Sequence, residues 1–507
     1  MTSTHPTITT FGALKASGYQ NISVKDELRK NLIFQLQSGS AVFEGMIGYD
    51  QTVIPQLQNA ILAKHDIILL GLRGQGKTRL IRMLGSLLDE WMPYIAGSEL
   101  NESPFAPVTK FGRTILEEKG DDTPIAWLHR SERYAEKLAT PDTSIADLIG
   151  DIDPIKAATM RLTYADEEVI HFGLVPRANR GIFAINELPD LQPRIQVGLL
   201  NIMEEQDVQI RGFNLRIPLD LMLVFSANPE DYTNRGNIIT PLKDRIDSQI
   251  LTHYPKSIEL GIEITRQEAW QNRNGIAVHI PHFFREIIEQ IAFEARKSEY
   301  VDQKSGVSVR LTRSALEALI SAAERRALIH GETETTVRVS DLLAIESAIT
   351  GKVELVYEGE QEGAQNVARV LIGKALKTIF IRYFPDPSDK KMGRAFYQPI
   401  LNWFSKNNQV TFLYDMPAAA YRKLLDQVEG LAKIATKKTA PQTTDELLVT
   451  MEFILEALHQ NSLVGKAFLE GKATFSDMMG SMLSGLGSLG DDDDEDYNDF
   501  DDLRPYR

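Results

Sequence analysis

The chain is 507 residues long, carries a formal net charge of −15 and contains no cysteine. That length suits two to four domains; disulfides, thiolate metal sites and a cysteine nucleophile are excluded, and no apolar run approaches the ~18 residues needed to span a bilayer. The N-terminus lacks the basic start and continuous apolar run of a signal peptide, so a cytoplasmic location is expected, and an acidic balance without a basic stripe argues against a nucleic-acid partner.

Residues 1–40 read as a polar arm leading into a helix. From 41 to 254 apolar strands alternate with amphipathic helices, the pattern of an α/β domain with a mostly parallel sheet. "DIILLG" (66–71), "GIFAIN" (181–186) and "LMLVFSAN" (221–228) are nearly continuous apolar runs, as expected of strands covered on both faces. Residues 255–355 have a helical pattern and predict an all-α lid, in which "LTRSALEALISAAERRALIHG" is an amphipathic helix ending at Gly331. Residues 356–475 predict an additional C-terminal helical region, broken at "FPDPSDKKMG" and "TKKTAPQTTDE". A Gly/Ser linker and an acidic tail follow over 476–507, with nine carboxylates between 491 and 502, and disorder is expected there. Such a tail either keeps the chain apart from its neighbours by repulsion or docks on a basic partner surface, a use that Tyr497 and Phe500 would suit.

The first chemical motif is "GLRGQGKT", which fits G-x-x-x-x-G-K-[ST] and sits between a strand and an amphipathic helix. Glycines let successive N–H groups curl around phosphate oxygens. The candidate nucleotide contacts are Gly71, Arg73, Gly74, Gln75, Gly76, Lys77, Thr78 and Arg79. Lys77 is expected to reach the β- and γ-phosphates of ATP, and the Thr78 hydroxyl to ligate Mg²⁺.

The second motif closes the strand 181–186 with Asn186 and Glu187. Glu187 is the candidate general base that polarises an attacking water. Asn186 is expected in the outer shell of the Mg²⁺, where its carbonyl can accept from a metal-bound water but supplies no negative charge. A charge-assisted hydrogen bond is worth about 1.5–3 kcal/mol against about 1 for a neutral one, so the amide predicts weaker metal binding. Asn228, at the tip of the third strand, is placed to orient the water or contact the γ-phosphate. Arg245, in "LKDRID", is placed either as an arginine finger for a neighbouring subunit or in a surface salt bridge to Asp244 or Asp247. Arg310 and Arg313 flank the start of a lid helix, and either could swing onto the nucleotide.

Together these residues resemble an AAA+ ATPase, in particular the ATPase subunit of magnesium chelatase (subunit I type), with MoxR-type ATPases as relatives. The run from "DLIGDIDPIKA" to "GLVPRANRG" looks like that family's insertion before the hydrolysis strand, and "EEQDVQIRGFNLRIPLDLMLVFSANPE" like its hairpin before the sensor asparagine. "EGMIGYDQTVIPQLQNAIL" resembles the stretch that packs on adenine, which implies base contacts from Ile47, Gly48 and Tyr49. The family usually has Asp where this chain has Asn186. The match spans about residues 40 to 350, and the region from about 360 to 475 and the acidic tail have no counterpart in the compact chelatase subunit. The resemblance implies a homo-oligomeric ring, often hexameric, that hydrolyses ATP to remodel a partner carrying an integrin-type (von Willebrand A) domain. No D-x-S-x-S pattern places such a domain in this chain, and no Gly-Ala-Phe-Thr-Gly loop or helix-turn-helix marks a transcription activator.

Overall fold

The computed structural model describes residues 6–161, 166–210, 216–230, 238–389, 393–439, 441–469 and 471–478. The acidic stretch, with Tyr497 and Phe500, lies outside the described residues. The chain divides into two compact units, Met1–Lys256 and Ser257–Arg507.

The first unit is built on five parallel strands: β1 (Ile67–Leu70), β2 (Tyr134–Leu138), β3 (Gly181–Asn186), β4 (Leu221–Ala227) and β5 (Ser248–Leu251), in the order β5-β1-β4-β3-β2. The three apolar runs fall on β1, β3 and β4. Side chains alternate along a strand, and the alternation feeds two cores. Ile68, Leu70, Phe183, Ile185, Leu223 and Phe225 share one, while Ile67, Leu69, Ile182, Ala184, Met222 and Val224 share the other. The second core is covered by α1 (Val24–Ser38), α2 (Val53–Leu62) and α3 (Lys77–Met83). The first is covered by α4 (Pro193–Glu204) and by Leu148, Ile149, Ile170 and Phe172. Those four belong to the expected insertion, whose strands Gly150–Ile152 and Ile170–Phe172 pair antiparallel. The expected hairpin pairs Asp207–Gln209 with Arg216–Pro218, and a short helix α5 (Thr240–Arg245) precedes β5.

Each strand is entered through a charged residue: Asp66, Arg133, Arg180, Asp220 and Asp247 precede β1 to β5 in turn. The first turn of α1 meets them. Lys25 pairs with Asp66 at 2.9 Å, Glu27 accepts two bonds from Arg133 at 2.7 and 2.6 Å, and the Val24 amide donates to both oxygens of Asp220 at 3.1 and 2.9 Å. Asp247 accepts from the Asp66 amide at 3.0 Å. The stretch expected as a polar arm leading into a helix thus packs on the first unit through that helix, with Lys25 and Glu27 turned toward the strand entries. Asn179 and Arg180 of the "RANRG" run serve the same edge. Asn179 donates to the Leu100 carbonyl at 2.9 Å and accepts from the Asp220 amide at 2.9 Å, and Arg180 donates to the Pro93 carbonyl at 2.7 Å.

The second unit has one apolar core running from Ile258 to Phe475. It draws on α6 (His282–Ala295), α7 (Arg310–His330), α8 (Ala364–Tyr383) and α9 (Thr444–Gln460). Phe283 of α6 stacks on Phe453 of α9 with ring centroids 4.7 Å apart. The expected lid and the expected C-terminal region are thus joined in one core rather than divided near residue 355. Helix α7 ends where the sequence predicts, with Gly331 left-handed at φ 67°. The C-terminal part also holds an antiparallel sheet that the helical reading did not contain: β6 (Val410–Leu413), β7 (Gly465–Leu469) and β8 (Lys472–Ser476), in the order β6-β8-β7. Phe412 and Phe475 meet across it with centroids 5.8 Å apart. Strands this short carry too little alternation to stand out beside long helices.

Candidate nucleotide-binding site

Parallel strands place their C-terminal ends at one edge, where open α/β sheets bind ligands. Leu70 pairs with Ala227 and Phe225 with Ile185, so Gly71, Asn228 and the Asn186-Glu187 pair follow three adjacent strand ends. A fourth, β5, contributes Thr252, His253 and Tyr254.

The loop 71–76 can hold only its glycines at two positions. A Cβ on Gly71 would lie 1.8 Å from Thr252 Oγ1 and 2.3 Å from Gln75 Oε1. Gly76 is left-handed at φ 76° and stands at the start of α3, whose first turn no side chain caps. First-turn N–H groups without a cap favour an anion. Lys77 is buried, and its ammonium donates to the Gly71 carbonyl and, at 3.3 Å, to that of Leu72. Burial pushes the Lys77 pKa down, opposed by the Glu187 carboxylate, so the two groups feel one another. Thr78 is half-buried and Arg79 exposed.

Side chains from elsewhere grip the loop. Thr252 donates to Gln75 Oε1 at 2.8 Å, and Tyr254 donates to the Arg73 carbonyl at 2.9 Å. The buried Tyr49 hydroxyl shares its one hydrogen between the carbonyls of Gln75 at 2.6 Å and His253 at 2.9 Å, and its ring meets His253 edge-on at 5.0 Å. Burial raises the Tyr49 pKa to about 12, which keeps the hydroxyl a donor. A Cβ on Gly76 would lie 3.1 Å from Met46 Cε, which puts the stretch containing Ile47 and the left-handed Gly48 beside the loop.

Glu187 is left-handed at φ 55°, an uncommon setting for a residue with a side chain and one that concentrates at functional sites. Its amide donates to Ser226 Oγ at 3.2 Å. Asn186 is buried, and its Oδ1 accepts from Ser226 Oγ at 3.2 Å. Asn228 has a buried Oδ1 with no hydrogen-bond partner among the described residues, a costly arrangement that a ligand would relieve. Arg245 closes α5 with its guanidinium on Glu204 (Nε to Oε2, 3.0 Å) and on the Pro241 carbonyl at 2.9 Å. Its acidic partner is therefore neither Asp244 nor Asp247. Arg310 and Arg313 lie exposed in the first turn of α7, in the second unit, with Arg313 3.6 Å from Glu317.

The glycine cradle and Lys77 fit the phosphates of a nucleotide, and the unpartnered Asn228 Oδ1 fits a donor beside them, such as a water. No group of three or more acidic, His or Cys side chains among the described residues could hold a metal by itself. A Mg²⁺ ion would therefore depend on nucleotide phosphates and the Thr78 hydroxyl, as Mg²⁺ at phosphate sites generally does. Sequence reasoning missed Thr252, Tyr254 and Ser226. Ser226 had a signal, being the one hydroxyl inside an apolar strand.

Residues 161–249 match the model of the sigma-54 interaction domain, a stretch that holds Asn186, Glu187, Asn228 and Arg245. The fold is AAA+. Among curated proteins, the chain is similar to archaeal Lon protease from Thermococcus kodakarensis, 29% identical over 168 residues, which covers 30% of this chain and 25% of the relative. Archaeal Lon protease from Methanothermobacter thermautotrophicus is 25% identical over 221 residues, covering 38% and 32%. The matches thus span a third or less of these relatives' lengths. Similar solved structures include NtrX from Brucella abortus (14% identity, 78% of this chain and 71% of that one, TM-score 0.35). They also include the complex between subunits BchI and BchD of magnesium chelatase (19% identity, 63% and 98%, TM-score 0.33). No helix among the described residues is long and apolar enough to cross a membrane.

Proposed function

We propose that the chain is a Mg-ATP-dependent AAA+ ATPase that works as a homo-oligomeric, hexameric ring in the cytoplasm. The observation that carries this reading is the meeting of Lys77, Glu187 and Asn228 at adjacent strand ends, with Asn228 Oδ1 unpartnered. Backbone amides of 71–76 would hold the phosphates, and Lys77 would exchange the Gly71 and Leu72 carbonyls for phosphate oxygens. Mg²⁺, met by Thr78, supplies charge neutralisation on the phosphates. Glu187 would accept a proton from the attacking water, which Asn228 Oδ1 orients; the water oxygen would bond to the γ-phosphorus as the bond from that phosphorus to the β–γ bridging oxygen breaks, its electron pair leaving on ADP. Arg245, contributed to a neighbouring subunit, and Arg310 or Arg313 of the second unit would add positive charge. Ile47, Gly48 and Tyr49 would border the base.

The resemblance to the magnesium chelatase ATPase subunit and to MoxR-type ATPases supports remodelling of a partner with a von Willebrand A domain, for metal insertion or metalloprotein maturation. Phosphate release from Mg-ATP by the purified chain, alone or with such a partner, tests the reading; no release under either condition contradicts it. The Asn186 amide favours a second reading, a nucleotide-gated assembly factor with weak hydrolysis. It predicts ATP-dependent assembly without steady turnover.

A further inference from the structure

We propose that Ser226 is a positioning residue of this site, one that commits the Asn186 amide to donate, rather than accept, toward a bound nucleotide. The inference rests on the nucleotide-binding reading above. Ser226 lies buried on β4, bonded to Asn186, the last residue of β3, and to Glu187, which follows it. Its oxygen accepts the Glu187 N–H at 3.2 Å, and its one hydrogen goes to Asn186 Oδ1 at 3.2 Å. A serine hydroxyl has a single donor, and this bond spends it on the amide carbonyl. Amide orientation is assigned from hydrogen bonds, and with this bond the Asn186 carbonyl is turned to the sheet. Among the described residues its Nδ2 group donates to nothing.

The consequence follows from what each neighbour of the site can use. A water bound to a divalent cation has its lone pair on the metal and offers only hydrogens, so it needs an acceptor. A phosphate oxygen has only lone pairs, so it needs a donor. With Oδ1 engaged by Ser226, the free end of Asn186 suits phosphate and not the water shell of the metal. The same hydroxyl holds the Glu187 amide, so one side chain sets both the polarity of residue 186 and the left-handed backbone of the candidate base. Oδ1 keeps a second lone pair, and the experiment separates the two uses.

The test is the affinity of the full chain for ATP, measured by calorimetry with excess Mg²⁺ and again with EDTA, for the wild type, Ser226→Ala and Ser226→Thr. The ratio of the two affinities is internal to each variant, so a general loosening of the site cancels. Ser226→Ala frees the amide to turn its carbonyl outward, and the Mg²⁺-dependent gain should rise about fivefold over the wild type, the size of one neutral hydrogen bond. Ser226→Thr keeps the hydroxyl and should retain the wild-type ratio within about twofold. An unchanged ratio in Ser226→Ala, or the same rise in Ser226→Thr, overturns the proposal while leaving the nucleotide reading intact. Absence of ATP binding by the wild type in both conditions overturns both.

Discussion

The two edges of the central sheet treat polar groups in opposite ways. At the edge where strands begin, buried charges are matched: Arg133 by Glu27, Asp66 by Lys25, and Asp220 by the first amide of α1 and by Arg180 nearby. At the edge where strands end, groups are held short of full satisfaction. Lys77 rests on loop carbonyls, Asn228 Oδ1 has no partner among the described residues, and Glu187 sits in a left-handed backbone. A closed polar network specifies and fixes architecture, whereas open valences at a cleft are available to a ligand. The "RANRG" run shows why this matters. It is part of what makes the sequence resemble a chelatase motor, yet Asn179 and Arg180 act at the closed edge.

The comparison can be broken most severely at the closed edge. Arg133→Ala leaves Glu27 buried without its cation and should destabilise the chain by about 3–5 kcal/mol in urea unfolding, with ATP affinity of the folded fraction unchanged. A loss of ATP affinity with little loss of stability would mean that the closed edge is functional. At the open edge, Tyr49→Phe removes the hydroxyl contacts to the loop carbonyl of Gln75 and to the His253 carbonyl after β5, and keeps the ring. If Tyr49 acts by clamping the loop, ATP affinity falls about fivefold, the effect of about 1 kcal/mol. If it acts through the ring against the base, calorimetry finds no change. The smallest effect belongs to Glu204→Gln, which weakens a solvent-facing pair worth no more than about 1 kcal/mol. Stability should barely move, while phosphate release at low protein concentration should rise if Arg245 serves a neighbouring subunit. A fall in release would show that the Glu204–Arg245 pair is part of the working state.

Much of the open edge was legible because its chemistry constrains residue type and spacing together. "GLRGQGKT" after an apolar strand leaves few alternatives, and Asn186-Glu187 and Asn228 are marked as polar residues ending buried strands. The clamps were not legible. Tyr254 and Thr252 act through side chains that reach a carbonyl and a side-chain amide 181 and 177 residues away in sequence, and nothing in their local pattern reports a long-range partner. The packing of the arm's helix was not legible for a related reason: Lys25 and Glu27 gain their meaning only when Asp66 and Arg133 are placed against them. The lid and C-terminal region were divided near where the family resemblance ends, whereas a core is divided by packing, and Phe283 on Phe453 crosses that boundary.

The central claim is that the open edge binds ATP and that Glu187 drives its hydrolysis. Glu187→Gln keeps the size of the side chain and removes its basicity. Phosphate release should fall by about 100-fold or more, while ATP affinity measured by calorimetry stays within about twofold of the wild type, since the loop and Lys77 are untouched. Equal phosphate release by wild type and Glu187→Gln would contradict the account.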